Sequence, residues 1–145
     1  MNQSDQNDTP NLKDRIIIDT NLWLHFLITK SYPALEKIFT EKFVTLLYSQ
    51  DLIDEFIEVA KRPKFKKYFN SNDLQELLLG MSRRAHFIEV SSRVILSRDP
   101  KDNFILSLAK DGKATYLITG DKDLLVLKKF GKTKIVTLGE YLQIL

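Results

Sequence analysis

No cysteine occurs among the 145 residues, which excludes disulfides, thiolate zinc sites, iron–sulfur clusters and cysteine nucleophiles, and makes a reducing cytoplasm the natural compartment. The two histidines, His25 and His86, are too few for a multi-histidine metal site. No apolar run approaches the roughly 18 residues that a spanning helix needs, and the opening residues are polar rather than a leader with an apolar centre. A soluble, cytoplasmic protein with no membrane partner is expected. The net charge of +3, from 22 basic and 19 acidic residues, is by itself too small to name a partner.

What is present reads as one domain, long enough to bury a core without metal or disulfide support. Residues 1–14, rich in Asn, Gln and Asp, read as a disordered arm, leaving 15–145 as the folded domain. Ile16-Ile17-Ile18 has the pattern of a short strand buried on both faces, as in a parallel sheet covered by helices. The next residue is Asp19, placed where open α/β sheets carry their ligand sites, at the carboxyl edge of a strand. Further strands are expected at Val44–Tyr48, Phe87–Val90, Tyr116–Thr119 and Ile135–Val136. Between them, helical spacing and caps predict helices after Asp19, from Tyr32-Pro33 to Phe39, after Ser49 up to Lys61-Arg62-Pro63, after a cap at Ser71-Asn72-Asp73, and from Asp99-Pro100 to Asp111-Gly112. Gly120-Asp121-Lys122-Asp123 turns into a short helix, and Thr137-Leu138-Gly139-Glu140 has capping-box spacing for a terminal one. This alternation is the signature of an α/β fold with a parallel sheet.

The acids sort by position. In the helix after Ser49 the buried stripe is Leu52, Ile53, Phe56, Ile57 and Ala60, and Glu55 lies at its edge while Glu58 points away. In the helix after Pro100 the stripe is Phe104, Ile105, Leu108 and Ala109, and Asp102 falls on the same face. A core-facing carboxylate needs a partner. Singly, Asp19, Asp102 and Asp121 have ordinary duties as caps or dipole partners, and Glu55 as a solvated edge charge. Together they form a constellation at one sheet edge that structure alone does not require. Carboxylates converging there repel by roughly 4 kcal/mol per pair at about 4 Å and an effective dielectric near 20, so a cation is needed. An all-oxygen donor set suits Mg²⁺ or Mn²⁺, ions that usually serve phosphate chemistry. Setting those four acids aside leaves 15 acidic against 22 basic residues, a surplus of seven cations that suits a polyanionic substrate.

Four blocks now stand in order: Ile18-Asp19-Thr20-Asn21; Glu55 ahead of Arg62-Pro63-Lys64-Phe65; Arg98-Asp99-Pro100-Lys101-Asp102-Asn103; and Thr119-Gly120-Asp121-Lys122-Asp123-Leu124-Leu125. In this order and spacing they resemble the PIN-domain ribonucleases, in particular the group similar to VapC toxins of toxin–antitoxin systems. The resemblance runs from about Arg15 to Leu145. It implies a three-layer α/β/α domain with a central parallel sheet of about five strands, and a Mg²⁺- or Mn²⁺-dependent endoribonuclease that cleaves single-stranded RNA with a metal-activated water. Asp19, Glu55, Asp102 and Asp121 match the catalytic, metal-binding quartet, and Asp123 an accessory acid. Asn21 and Thr119 match the polar residues that orient those carboxylates. His25, one turn beyond Asn21, is expected at the surface. The implied partners are a small antitoxin encoded nearby and a second copy in a homodimer.

For substrate grip, Lys61, Arg62, Lys64, Lys66 and Lys67, interleaved with Phe65, Tyr68 and Phe69, form the densest basic and aromatic stretch. They suit an RNA strand, or equally a solvated helix end whose aromatics fill the core. A non-catalytic RNA- or partner-binding module that retains the fold stays open as the alternative. Other Mg²⁺-dependent α/β proteins fit less well: an aspartate-nucleophile phosphatase needs a second aspartate two residues after Asp19, where this chain has Asn21, and a phosphoryl-accepting receiver needs an acidic pair on its first loop.

Overall fold

The computed structural model describes residues 13–41 and 43–144. The arm expected over 1–14 lies outside the described residues as far as residue 12, whereas Lys13 and Asp14 already belong to the first strand. In chain order the elements are β1 (Lys13–Ile18), α1 (Thr20–Thr29), α2 (Tyr32–Glu41), β2 (Phe43–Tyr48), α3 (Gln50–Ala60), α4 (Pro63–Lys66), α5 (Ser71–Arg84) and β3 (Ala85–Phe87). There follow α6 (Pro100–Gly112), β4 (Tyr116–Ile118), α7 (Lys122–Leu125), β5 (Lys129–Phe130), β6 (Thr133–Val136) and α8 (Leu138–Ile144).

They build one six-stranded sheet of order β3-β2-β1-β4-β6-β5, in which only β5 runs antiparallel. The five parallel strands are those expected. β5 is two residues long, too short for alternation to reveal, and closes a hairpin through Gly131, whose φ of +58° is the left-handed conformation that favours glycine.

The isoleucine run explains the layering. Ile16 and Ile18 face one core with Leu46, Ile118, and side chains of α1, α2, α3, α5 and α8; Ile17 faces the other with Leu47, Leu117 and the α6 residues Ile105, Leu106, Leu108 and Ala109. Both faces of β1 are therefore dry, as a continuous apolar run requires. The result is three layers, α/β/α.

Several expected boundaries shift. The third strand is Ala85–Phe87 rather than Phe87–Val90, because these residues pair with Leu46–Tyr48, and Ile88 then leaves the ladder after one bond to the Tyr48 carbonyl at 2.9 Å. The cap of α5 is Asn70, one residue before the expected Ser71-Asn72-Asp73, with Asp73 closing a capping box. Phe104, expected in the α6 stripe, is 44 % exposed, since Asp102, Ile105, Leu106 and Ala109 turn the buried face one residue round the helix. The caps at Ser49, Asp99 and Thr137–Glu140 form as the sequence implies. No helix among the described residues is long and apolar enough to cross a membrane.

Candidate active site

Register delivers the site. Ile18 of β1 lies opposite Ile118 of β4, so the next residues, Asp19 and Thr119, leave the sheet side by side. The Asp19 N–H bonds the Ile118 carbonyl at 3.0 Å, and the Thr119 N–H the Val136 carbonyl at 2.9 Å. Thr119 is fully buried, and its hydroxyl works twice: it donates to Asp19 Oδ2 at 2.6 Å and accepts the Asp121 backbone N–H at 3.0 Å. One hydroxyl thus ties two acids from segments a hundred residues apart.

Glu55 comes from the middle of α3, at the edge of its buried face. It is held from two sides, by the Thr20 hydroxyl donating to Oε1 at 3.0 Å and by Lys101 Nζ at 3.4 Å from Oε2. Asp102 sits in the first turn of α6, whose entry is fixed by Asp99 as N-cap and Pro100 at the first helical position. Only 5 % of Asp102 is exposed, and Ser97 Oγ donates to its Oδ2 at 3.2 Å. Asp121 caps α7 by accepting the Asp123 N–H at 2.9 Å.

All of these converge on one pocket of about 460 Å³, lined by Asp19, Asn21, Glu55, Asp99, Lys101, Asp102, Asp121 and Asp123, among others. Carboxylate oxygens of Asp102, Asp121 and Asp123 approach within 4.8 Å of one another, close enough to share an ion. The electrostatics show the strain of this crowding. Burial, a hydrogen bond shared with Asp121 and the charge of Asp121 push Asp102 up to about 7. Asp19 is also raised, chiefly by burial, against the opposing bond from Thr119 and with some help from the Asp121 charge. A proton, or a cation in its place, is what lets these acids sit together.

The donor set is all oxygen, since His25 and His86 are exposed and neither lines the pocket. Hard, oxygen-seeking divalent ions fit such a set.

Of the residues expected to orient the acids, Thr119 bonds Asp19 through its hydroxyl, and Asn21, an exposed residue lining the pocket, bonds Asp19 through its backbone N–H. Thr20, Lys101 and Ser97 orient acids as well; their partners lie far along the chain or across a turn, so spacing offered no signal beyond adjacency to Asp19 and Asp102. The basic residues Lys61, Arg62, Lys64, Lys66 and Lys67 are exposed around the end of α3 and α4, and none lines the acidic pocket. Phe65 and Phe69 pack against the core while Tyr68 is exposed under Lys67, whose Nζ is 5.2 Å from the ring centre.

A sequence model of the PIN domain matches residues 15–123, a span that contains every one of these acids. The chain belongs to the PIN domain family. PIN domains are generally nucleases, and divalent metals are their usual cofactors. This PIN domain is 33 % identical over 125 residues to an uncharacterised protein of Methanocaldococcus jannaschii, covering 83 % of this chain and 79 % of that protein. Its fold is that of a chain in the crystal structure of VapBC2 from Rickettsia felis bound to a DNA fragment from their promoter: TM-score 0.56, 16 % identity, 83 % of this chain and 96 % of the other.

Proposed function

We propose that this PIN domain is a Mg²⁺- or Mn²⁺-dependent endoribonuclease that hydrolyses single-stranded RNA, and that it is the toxin of a toxin–antitoxin pair. The observation that carries the reading is the acidic pocket: Asp102, Asp121 and Asp123 within ligand reach of one another, with Asp19 and Glu55 on the same wall. Asp19, Glu55, Asp102 and Asp121 would be the metal-binding quartet, with Asp123 an accessory ligand beside Asp102 and Asp121. A bound divalent ion supplies Lewis acidity, acidifying a water and offsetting charge on the phosphate.

The chain's own residues do the positioning. Thr119 fixes Asp19 and the backbone of Asp121 relative to each other, and Thr20 with Lys101 fixes Glu55. Among the described residues Lys101 is the cation lining the pocket, and it stands where a phosphate entering among carboxylates needs an attractive partner. Attack by water leaves a 5′-phosphate and a 3′-hydroxyl.

Calorimetric titration of Mn²⁺ into the wild type and Asp102→Asn tests the site without needing the right RNA. Binding by the wild type and its loss in the variant are expected. If neither binds, alone or with RNA present, the nuclease reading fails. End-group analysis tests the chemistry: a 2′,3′-cyclic phosphate would make the RNA's own 2′-hydroxyl the nucleophile and refute attack by water. The likeness of fold to the VapBC2 structure supports the toxin reading. The partner is then a small protein encoded beside this chain, which co-purification with the neighbouring gene product tests, and sedimentation tests the homodimer.

A further inference from the structure

A groove of about 450 Å³ adjoins the acidic pocket, and the two share Asp99 and Asp123. Leu96, Arg98 and Leu127 line it, over the buried Leu106 and Leu124. Its size falls within the roughly 300–1,000 Å³ of small-ligand pockets.

Two of its features have no structural duty. Leu96 is 57 % exposed and its neighbour Ile95 86 %, so large apolar side chains border a highly charged site without being buried. Arg98, beside Asp99 and Asp123, makes no ion pair with either; among the described residues the pocket's cation pairing is Lys101 with Glu55. Nor is the loop that carries Leu96 and Arg98 loose. Asn103 Oδ1 accepts the N–H groups of Leu96 and Ser97 at 3.0 and 2.9 Å, Asn103 Nδ2 donates to the Ser97 carbonyl at 2.8 Å, and the Ser97 hydroxyl donates to Asp102. The groove wall is therefore braced to the very carboxylate at the centre of the acidic cluster.

We propose that this groove is the subsite for the nucleotide next to the scissile phosphate, with its base against Leu96 and Leu127 and its phosphate on Arg98. The inference rests on the ribonuclease reading, since continuity with the acidic pocket is what selects a nucleotide as the occupant. The leucine side of the groove takes the face of any base, so contact there is tolerant of sequence and governed by size. A guanidinium binds phosphate through paired N–H donors, and an unpaired one loses no internal bond in doing so. Arg98 also supplies attraction where the acids alone would repel an incoming strand.

The test is fluorescence anisotropy of a random-sequence single-stranded RNA of about ten nucleotides, in EDTA so that the reading does not depend on cleavage. Arg98→Ala is expected to weaken binding about tenfold and to lower the salt slope by about 0.7, the loss of one phosphate contact. Leu96→Ala is expected to weaken binding several-fold with the salt slope unchanged. Lys132→Ala, which removes the same charge from the β5–β6 hairpin, is the control and is expected to stay within twofold of wild type. Both groove side chains are exposed enough that neither substitution threatens the fold. Arg98→Ala behaving like Lys132→Ala, or a wild type that binds no RNA, overturns the subsite. Mn²⁺ calorimetry on the same variants separates the two proposals: lost RNA affinity with intact metal binding supports the subsite, while groove-dependent RNA binding by a protein that takes no metal sinks the nuclease reading and overturns the subsite with it, leaving an RNA-binding groove with no scissile phosphate beside it.

Discussion

Raising the pH of the metal-free protein from 5 to 8 should destabilise it, and a divalent cation should reverse the loss. Asp102 titrates at about 7 in the folded state against an ordinary 3.8. Between those values the folded chain holds a proton that the unfolded chain has released. Unfolding free energy must therefore fall as pH rises through this window, by at most about 1.4 kcal/mol per unit, and flatten above the folded value. From pH 5 to the folded value that is about two units, a ceiling of about 3 kcal/mol. The pocket opens to solvent, and water at its mouth screens the pair, so about 1–2 kcal/mol is the realistic loss between pH 5 and 8. For a domain of this size that lowers the melting temperature by about 3–8 °C. Asp19, also raised, acts in the same direction. Asp73 and Asp111 are lowered by hydrogen bonds to backbone and Ser92, so their contribution is lost only in stronger acid, outside the window. Thermal melts at unit steps of pH, with and without Mg²⁺, on wild type and Asp102→Asn make the assay. The wild type should melt lower at pH 8 than at pH 5, Mg²⁺ should restore it at pH 8 and do little at pH 5, and the variant should show a shallower pH slope and a smaller Mg²⁺ effect. Parallel slopes in the two proteins would refute the assignment of the proton to Asp102.

Other outcomes follow from single contacts. Thr119→Val removes the hydroxyl that joins Asp19 to the Asp121 backbone, and should weaken Mn²⁺ binding by about 10- to 100-fold by calorimetry, where Thr119→Ser should largely retain it. Lys101→Gln frees Glu55 from a half-exposed competitor, and should tighten Mn²⁺ binding by up to about fivefold, the equivalent of an ion pair worth about 1 kcal/mol or less. Tyr141→Phe deletes the buried hydroxyl that donates to Asp14 at 2.8 Å and anchors α8 to β1; it should cost about 1–2 kcal/mol in denaturant unfolding and leave metal affinity unchanged. Gly112→Ala would put a methyl 2.9 Å from Leu47 Cδ1 in a packed core and should cost about 1–3 kcal/mol, despite the better helix propensity of alanine.

Sequence made some of this legible because the signals were local. Three β-branched residues ending in an acid identify a buried strand and a carboxyl edge, and both faces of Ile16–Ile18 are indeed dry. Helical arithmetic put Asp102 on the buried face of α6 and Glu55 at the margin of α3. The same arithmetic misassigned Phe104, because a stripe's centre depends on which neighbours cover it and periodicity fixes only its width. Thr20, Lys101 and Ser97 escaped notice for a related reason: a hydroxyl or ammonium beside an acid in sequence carries no mark of the distant carboxylate it meets. Nothing local in the sequence marks Leu96 and Ile95 as exposed, since their exposure is a property of the loop that Asn103 braces.

Strand order carries a consequence for the timing of synthesis. β1 is made early, yet its neighbour across the site is β4, and the bond from Thr119 to Asp19 closes a loop of a hundred residues. At about 5–20 residues per second, several seconds separate the emergence of the first acid from that of the last. During that interval Asp19 has neither its orienting hydroxyl nor Asp121 beside it. In a nascent chain the acidic pocket therefore cannot assemble until β4 and the turn that follows it have been translated.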